Sequence, residues 1–384
     1  MPTGGTGTTM ALMEMRSALE GADAWREADT AMAGESDDIV AATAARICAD
    51  LADPQAINAA RDDRWKAPLW RALTDAGLTL AWVPEKLGGA GASLADGFSI
   101  LGIAGRFALP VPLAETLLAG WLLARADIAA PGGAMTVAPV RPRDRVTLNS
   151  DGTMSGHVSG VPFAKDVEHF AVMTGEDVPT IALVRTADCR IGDGETLAGD
   201  SANSVIFERT KALHRARAPA GFDASALMLM GATVRATQIA GALETILALS
   251  VRYANERVAF ERPIGKFQAV QQNLARLAGE TAAALAAAGS AADTIARSDA
   301  DDARMLEAAA AKIRTGEAAA EGASIAHQVH GAIGFTKEHV LHRFTLRMLG
   351  WRDDFGTESY WAARLGGMIA SRGSDQFWPL LASR

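Results

Sequence analysis

The chain has 384 residues, 49% hydrophobic and 21% charged, more than one core usually supports and enough for two or three domains. A formal net charge of -8 removes the electrostatic support that nucleic-acid binding needs. Cys48 and Cys189 are too few for a disulfide framework or a zinc cluster, and they read as reduced thiols of a cytoplasmic protein.

Residues 1–37 are Gly/Thr-rich and then acidic, with no apolar run long enough for a signal peptide or a membrane span, and are expected to form a mobile tail. Helical spacing follows over 38–130. Val40, Ala44, Ile47 and Leu51 share one face, and Leu69, Leu73 and Ala76 share another, with Pro68 at its start. The stretch 77–91, with Pro84, Gly88, Gly89 and Gly91, must be a loop, and two further helices are expected over 95–107 and 114–125. After Pro131-Gly132-Gly133 the pattern turns to alternation around Val146, Met154, Phe170, Thr180 and Ser204, which predicts a small antiparallel β domain over 131–218. Helices return near Ala224 and fill 219–384, with breaks at 263–265 and 331–334. The alanine-rich run 281–292 reads as a helix face packed closely on a neighbour. These long apolar helices offer more stripe than one bundle core covers, so a partner surface is expected.

Two segments carry the most chemistry. Residues 257–272 read R-V-A-F-E-R-P-I-G-K-F-Q-A-V-Q-Q, setting Arg257, Phe260 and Gln268 along a loop that enters a helix. A cation, a flat apolar face and an amide suit a pyrophosphate with its nucleoside. Residues 328–336 read Q-V-H-G-A-I-G-F-T, where Gly331 and Gly334 free the backbone to approach a ligand and Gln328 adds a donor and an acceptor. A Gly-Thr pair follows at Gly356-Thr357.

In this order and separation the segments resemble the acyl-CoA dehydrogenase family, flavoenzymes that oxidise an acyl-CoA thioester between Cα and Cβ. The Pro84-Glu85 to Gly91 loop resembles the family's N-terminal signature near the acyl end of the cavity. In the 328–336 segment Ala332 departs from the family pattern, standing where a second glycine is usual. The resemblance implies a mainly α fold with a small β domain: an N-terminal helical domain, a middle β barrel and a C-terminal four-helix bundle. It implies FAD, with Arg257, Phe260, Gln268, Gln328, Gly331, Gly334 and Thr357 as cofactor contacts, an acyl-CoA substrate, and an electron-transferring flavoprotein as acceptor.

The same resemblance exposes an absence. The reaction needs a carboxylate base within reach of the thioester Cα. An ungapped count from the glycine loop places the usual glutamate at Phe355, in W-R-D-D-F-G-T-E over 351–358. Asp354 serves only after a one-residue shift. The position used by other relatives falls on Gly231, and Glu244 further along that helix reads as a surface carboxylate. The stretch that in relatives contacts the flavin ring is here 135–145, keeping Thr136 and Pro139 without the usual Gly-Ser-Asp. Three expectations follow. The chain is one subunit of a mixed α2β2 dehydrogenase of lipid metabolism, its partner supplying the base, with a bulky ester such as a steroid-derived acyl-CoA as substrate. Alternatively it is a self-sufficient homotetramer using Asp354, or a flavin-free scaffold. Trp351, Phe355, Tyr360 and Trp361 line an interface or cavity wall, or pack in the core.

Overall fold

The computed structural model describes residues 39–175, 178–298 and 300–382, and the tail expected over 1–37 lies outside them. Among the described residues five α-helices come first: α1 (Ile39–Leu51), α2 (Pro54–Ala59), α3 (Lys66–Asp75), α4 (Leu94–Arg106) and α5 (Leu113–Arg125). Local chemistry sets their starts. Asp53 accepts from the Ala56 N–H ahead of α2, and Ser93 and Asp96 form a reciprocal capping box at α4. Helix α3 begins two residues before Pro68, because a proline in the first turn removes no intrahelical hydrogen bond. Helix α1 buries Ala44 and Cys48 while Leu51 stays 36% exposed, so its inward stripe is narrower than the periodicity implies.

Eight strands among the described residues fall between Met135 and Arg217, in two four-stranded sheets. One runs β1 (Met135–Ala138), β4 (His169–Thr174), β5 (Thr180–Arg185), β8 (His214–Arg217); the other runs β2 (Arg145–Leu148), β3 (Met154–Pro162), β7 (Ala202–Thr210), β6 (Arg190–Ile191). The expectation of purely antiparallel pairing needs correction: β1 and β4 are parallel, Met135 opposite His169. The chain leaves β1 for the other sheet and returns, and such a crossover brings β4 in pointing the same way. Thr116 of α5 ties the helical layer to β1, accepting from the Met135 N–H at 3.0 Å.

The C-terminal part is α6 (Ala224–Glu256), α7 (Gln268–Arg297), α8 (Asp301–His330), α9 (Leu341–Trp351), α10 (Glu358–Arg372) and α11 (Phe377–Ala382). Asp223 caps α6 through the Ser225 and Ala226 N–H groups. Helix α6 is long and apolar enough to cross a membrane, yet 83% of its most apolar window is buried among its neighbours. It is the core helix. It meets α4 backbone to backbone, since a Cβ on Gly105 would stand 2.2 Å from the Gln238 carbonyl oxygen. Helix α7 is the outer one, burying only Leu277, Thr281, Ala284, Ala288 and Ala291.

Candidate functional site

Arg257 terminates α6, its N–H donating to the Tyr253 carbonyl at 2.8 Å. The chain then forms a two-residue hairpin, β9 (Val258–Ala259) against β10 (Arg262–Pro263), with Phe260 and Glu261 at its tip in the left-handed region, φ 50° and 65°. The hairpin pushes Phe260 outward, 90% exposed. The Arg257 side chain is exposed and has no partner among the described residues. Gln268 is the exposed first residue of α7.

The second segment ends α8. Gly331 has φ 66° and ψ -146°, a combination open essentially to glycine alone, and it turns the chain into a 3-10 turn over Gly331–Phe335. Gln328 is exposed and accepts from the Asn273 amide at 3.4 Å. Gly334 is buried, and a Cβ there would stand 3.0 Å from the His330 Cβ, so its glycine serves packing rather than ligand approach.

The two segments meet around a cavity of about 470 Å3 lined by Tyr253, Glu256, Arg257, His330, Ala332 and Ile333. Tyr253, Glu256 and His330 were not singled out from the sequence. The first lies one helical turn before Arg257, the second adjoins it, and the third adjoins Gly331, so helical spacing held the signal. His330 stacks on Tyr253 at 4.5 Å. Its Nδ1 lies 2.8 Å from the Ala326 carbonyl, which only accepts, so Nδ1 carries the hydrogen and Nε2 the lone pair. That Nε2 is buried without a partner. Burial holds the imidazoles of His330 and His327 below their ordinary range, and burial together with the His330 charge pulls His339 down to about 4. All three are uncharged at neutral pH.

The positions considered for a base present a different picture. Phe355, between α9 and α10, is 2% exposed, its N–H donating to the Val140 carbonyl at 3.0 Å and its carbonyl accepting from Trp361 Nε1 at 2.9 Å. Its ring lies against Gly231 of α6, where a Cβ would stand 2.2 Å away. Asp354 is not free: its Oδ2 accepts from Arg235 Nε at 3.0 Å, while Arg235 Nη2 donates to Glu115 Oε1 at 2.6 Å. Gln238 Oε1 takes a third guanidinium hydrogen, at 2.6 Å. Burial pushes the Glu115 carboxyl up, and the Arg235 charge opposes it. Lys312, brought down to about 8 by burial, donates to the carbonyls of Arg352 and Gly356 and fastens the loop from beneath. Thr357 caps α10 by accepting from the Tyr360 N–H at 3.4 Å, and Glu244 makes a two-point pair with Arg106. Trp351, Phe355 and Trp361 are core residues. Thr136 lies fully buried in β1 with an unpartnered hydroxyl.

A second cavity, about 520 Å3, opens beside the start of α6, with Trp121, Arg125, Met230, Arg304, Arg364 and Met368 in its wall. Its lining reaches Met230 but includes neither Gly231 nor Phe355.

Comparison with known proteins gives matches to both ends of the chain. The family model described as acyl-CoA dehydrogenase, C-terminal domain, matches residues 221–360, and that for the N-terminal domain matches 34–126. The acyl-CoA dehydrogenase IpdE2 of Mycobacterium tuberculosis is 30% identical over 315 residues, covering 80% of this chain and 89% of that protein. Among solved structures, the Tcur3481-Tcur3483 steroid ACAD G363A variant superposes with a TM-score of 0.76 at 28% identity, covering 86% of this chain and 97% of its own. The ChsE4-ChsE5 complex of M. tuberculosis superposes with a TM-score of 0.77 at 22% identity, covering 88% and 98%.

Proposed function

The chain belongs to the acyl-CoA dehydrogenase family, FAD-dependent oxidoreductases of acyl-CoA, and from that premise we propose that it is the nucleotide-gripping subunit of a mixed assembly. A similar partner chain supplies the carboxylate base and the pocket for the isoalloxazine ring. When bound, FAD supplies the acceptor for the hydride that leaves Cβ of the thioester.

One observation carries this reading. An ungapped count places the relatives' two base positions at Phe355 and Gly231, and in this fold the Phe355 ring fills the space that a side chain at 231 would need. Asp354 beside them is committed to the buried Arg235. A carboxylate oxygen that accepts from a guanidinium has fewer lone pairs to offer a substrate proton. The chain is therefore assigned the nucleotide end of the cofactor. There Arg257, with no partner among the described residues, stands beside a cavity, where a diphosphate finds charge and two-point hydrogen bonding.

The outward face of α7 supports a multi-chain assembly, since 30 residues of helix bury only five side chains. The likeness to a structure carrying two chain names, described as a steroid ACAD, favours an α2β2 arrangement and a bulky acyl-CoA ester, with an electron-transferring flavoprotein as acceptor. The cavity near Met230 offers arginines to an anionic ester, with Asp223, Asp301 and Asp302 in the same wall and with Gly231 and Phe355 outside it.

The test is to purify the chain alone and with the product of its neighbouring gene and to record visible spectra before and after adding acyl-CoA. A yellow complex bleached by substrate, against a colourless chain by itself, is the expected result. Stoichiometric FAD and substrate bleaching in the chain alone would overturn the proposal.

A further inference from the structure

We propose that α11 is an exchange arm: in a pair of copies of this chain, α11 of each lies against the outward face of α10 of the other. Helix α11 is reached through Gly373, which ends α10 at φ 84°, and through the turn over Ser374–Gln376. Its principal contact among the described residues is that turn. Trp378 is 72% exposed and Leu381 36%, and Pro379 is exposed beside them. One exposed apolar residue is ordinary. A tryptophan, a proline and a leucine on a helix of six residues are a concentrated apolar surface, of the kind that marks a docking site.

The surface that fits it is on the preceding helix. α10 buries Trp361 and turns Arg364 and Met368 towards the cavity near Met230. On its opposite side Ala362, Ala363, Gly366, Gly367 and Ala370 recur at helical spacing and are all exposed. They form a smooth track, and a Cβ added at either glycine would meet nothing within 4 Å. Small residues let a second helix approach closely, since the side chains at the contact set the distance between axes. Trp378 and the two glycines do not meet within one chain. Between two copies related by a two-fold axis they can, and each contact is then made twice. An aromatic side chain buries about 150–250 Å2. With the adjoining leucine and proline, the track beneath them and the second copy of the contact, the total reaches about 1,200 Å2, where stable interfaces begin.

Sedimentation velocity of the full chain over a range of concentrations tests the exchange. The chain is expected to pair, and Trp378→Ser to weaken pairing by about thirtyfold or more, as loss of an aromatic anchor does. Gly367→Arg should weaken it comparably by filling the track, with a thermal melt close to that of the parent because the position faces open space. Mixing the two variants separates exchange from any other mode of docking. The arm of the Gly367→Arg chain can still seat on the track of the Trp378→Ser chain, so the mixture should pair more strongly than either variant alone. A parent chain that stays monomeric, pairing that survives either substitution, or a mixture that pairs no better than its components overturns the proposal.

Discussion

The ring of Phe355 occupies the space that a side chain on residue 231 would need, with an added Cβ on Gly231 standing 2.2 Å from it. Each residue permits the other. Gly231→Ala is therefore expected to cost about 1–3 kcal/mol through overpacking. Phe355→Ala should cost about 3–5 kcal/mol through the cavity it leaves. In the Phe355→Ala background the alanine at 231 should be nearly harmless, a coupling that urea denaturation of the four proteins measures directly. An alanine equally costly in both backgrounds would show that the ring and the helix are independent.

Arg235 balances two carboxylates in the interior, at 2% exposure beside Glu115 at 5%. Losing the Glu115 charge leaves Arg235 with Asp354 as its counter-charge. Glu115→Gln should therefore lower stability by about 1–3 kcal/mol, the scale of one charge-assisted hydrogen bond. Asp354→Asn, at a site 14% exposed, should cost less. In the reconstituted assembly Asp354→Asn should leave bleaching of the flavin by acyl-CoA intact. Loss of bleaching with FAD retained would restore Asp354 as the base.

Arg257 has no competing partner among the described residues, so its substitution acts on the ligand rather than on the fold. Arg257→Ala should leave the melting temperature of the isolated chain within about 1 °C, as surface changes do. It should release FAD from the assembly, read as the ratio of flavin to protein absorbance. Arg257→Lys is expected to rescue only part of the binding, because an ammonium cannot hold a diphosphate at two points.

The histidines near the glycine turn set an acid limit. His339 is lowered from 6.5 to about 4, so between those values the unfolded chain binds a proton that the folded chain refuses. Stability is then full above about pH 6.5 and falls as pH drops towards 4, with His327, His330 and His342 shifted the same way. His339→Gln should flatten the pH dependence of the denaturation midpoint by up to one proton in this window. A slope unchanged in that variant would place the acid sensitivity elsewhere.

Local sequence was enough for much of the molecule. Helix positions followed from apolar spacing and from Pro68 at the start of α3, because contacts within a few residues decide them. The change to alternation after Gly133 marked the strands, and Arg257 with Gly331 marked the two segments whose residues line one cavity. The absence of a glutamate at 355 was equally visible as plain text.

What neighbours what was decided only by the folded chain. The parallel pairing of β1 with β4 depends on a crossover between sheets, which no window of sequence displays. Asp354 looked available until α6 brought Arg235 beside it, and Glu256 and His330 became walls of one cavity only because α6 and α8 end side by side. Gly231 and Phe355 read separately as two missing bases. Close packing, which acts between atoms regardless of their distance along the chain, makes them a single contact.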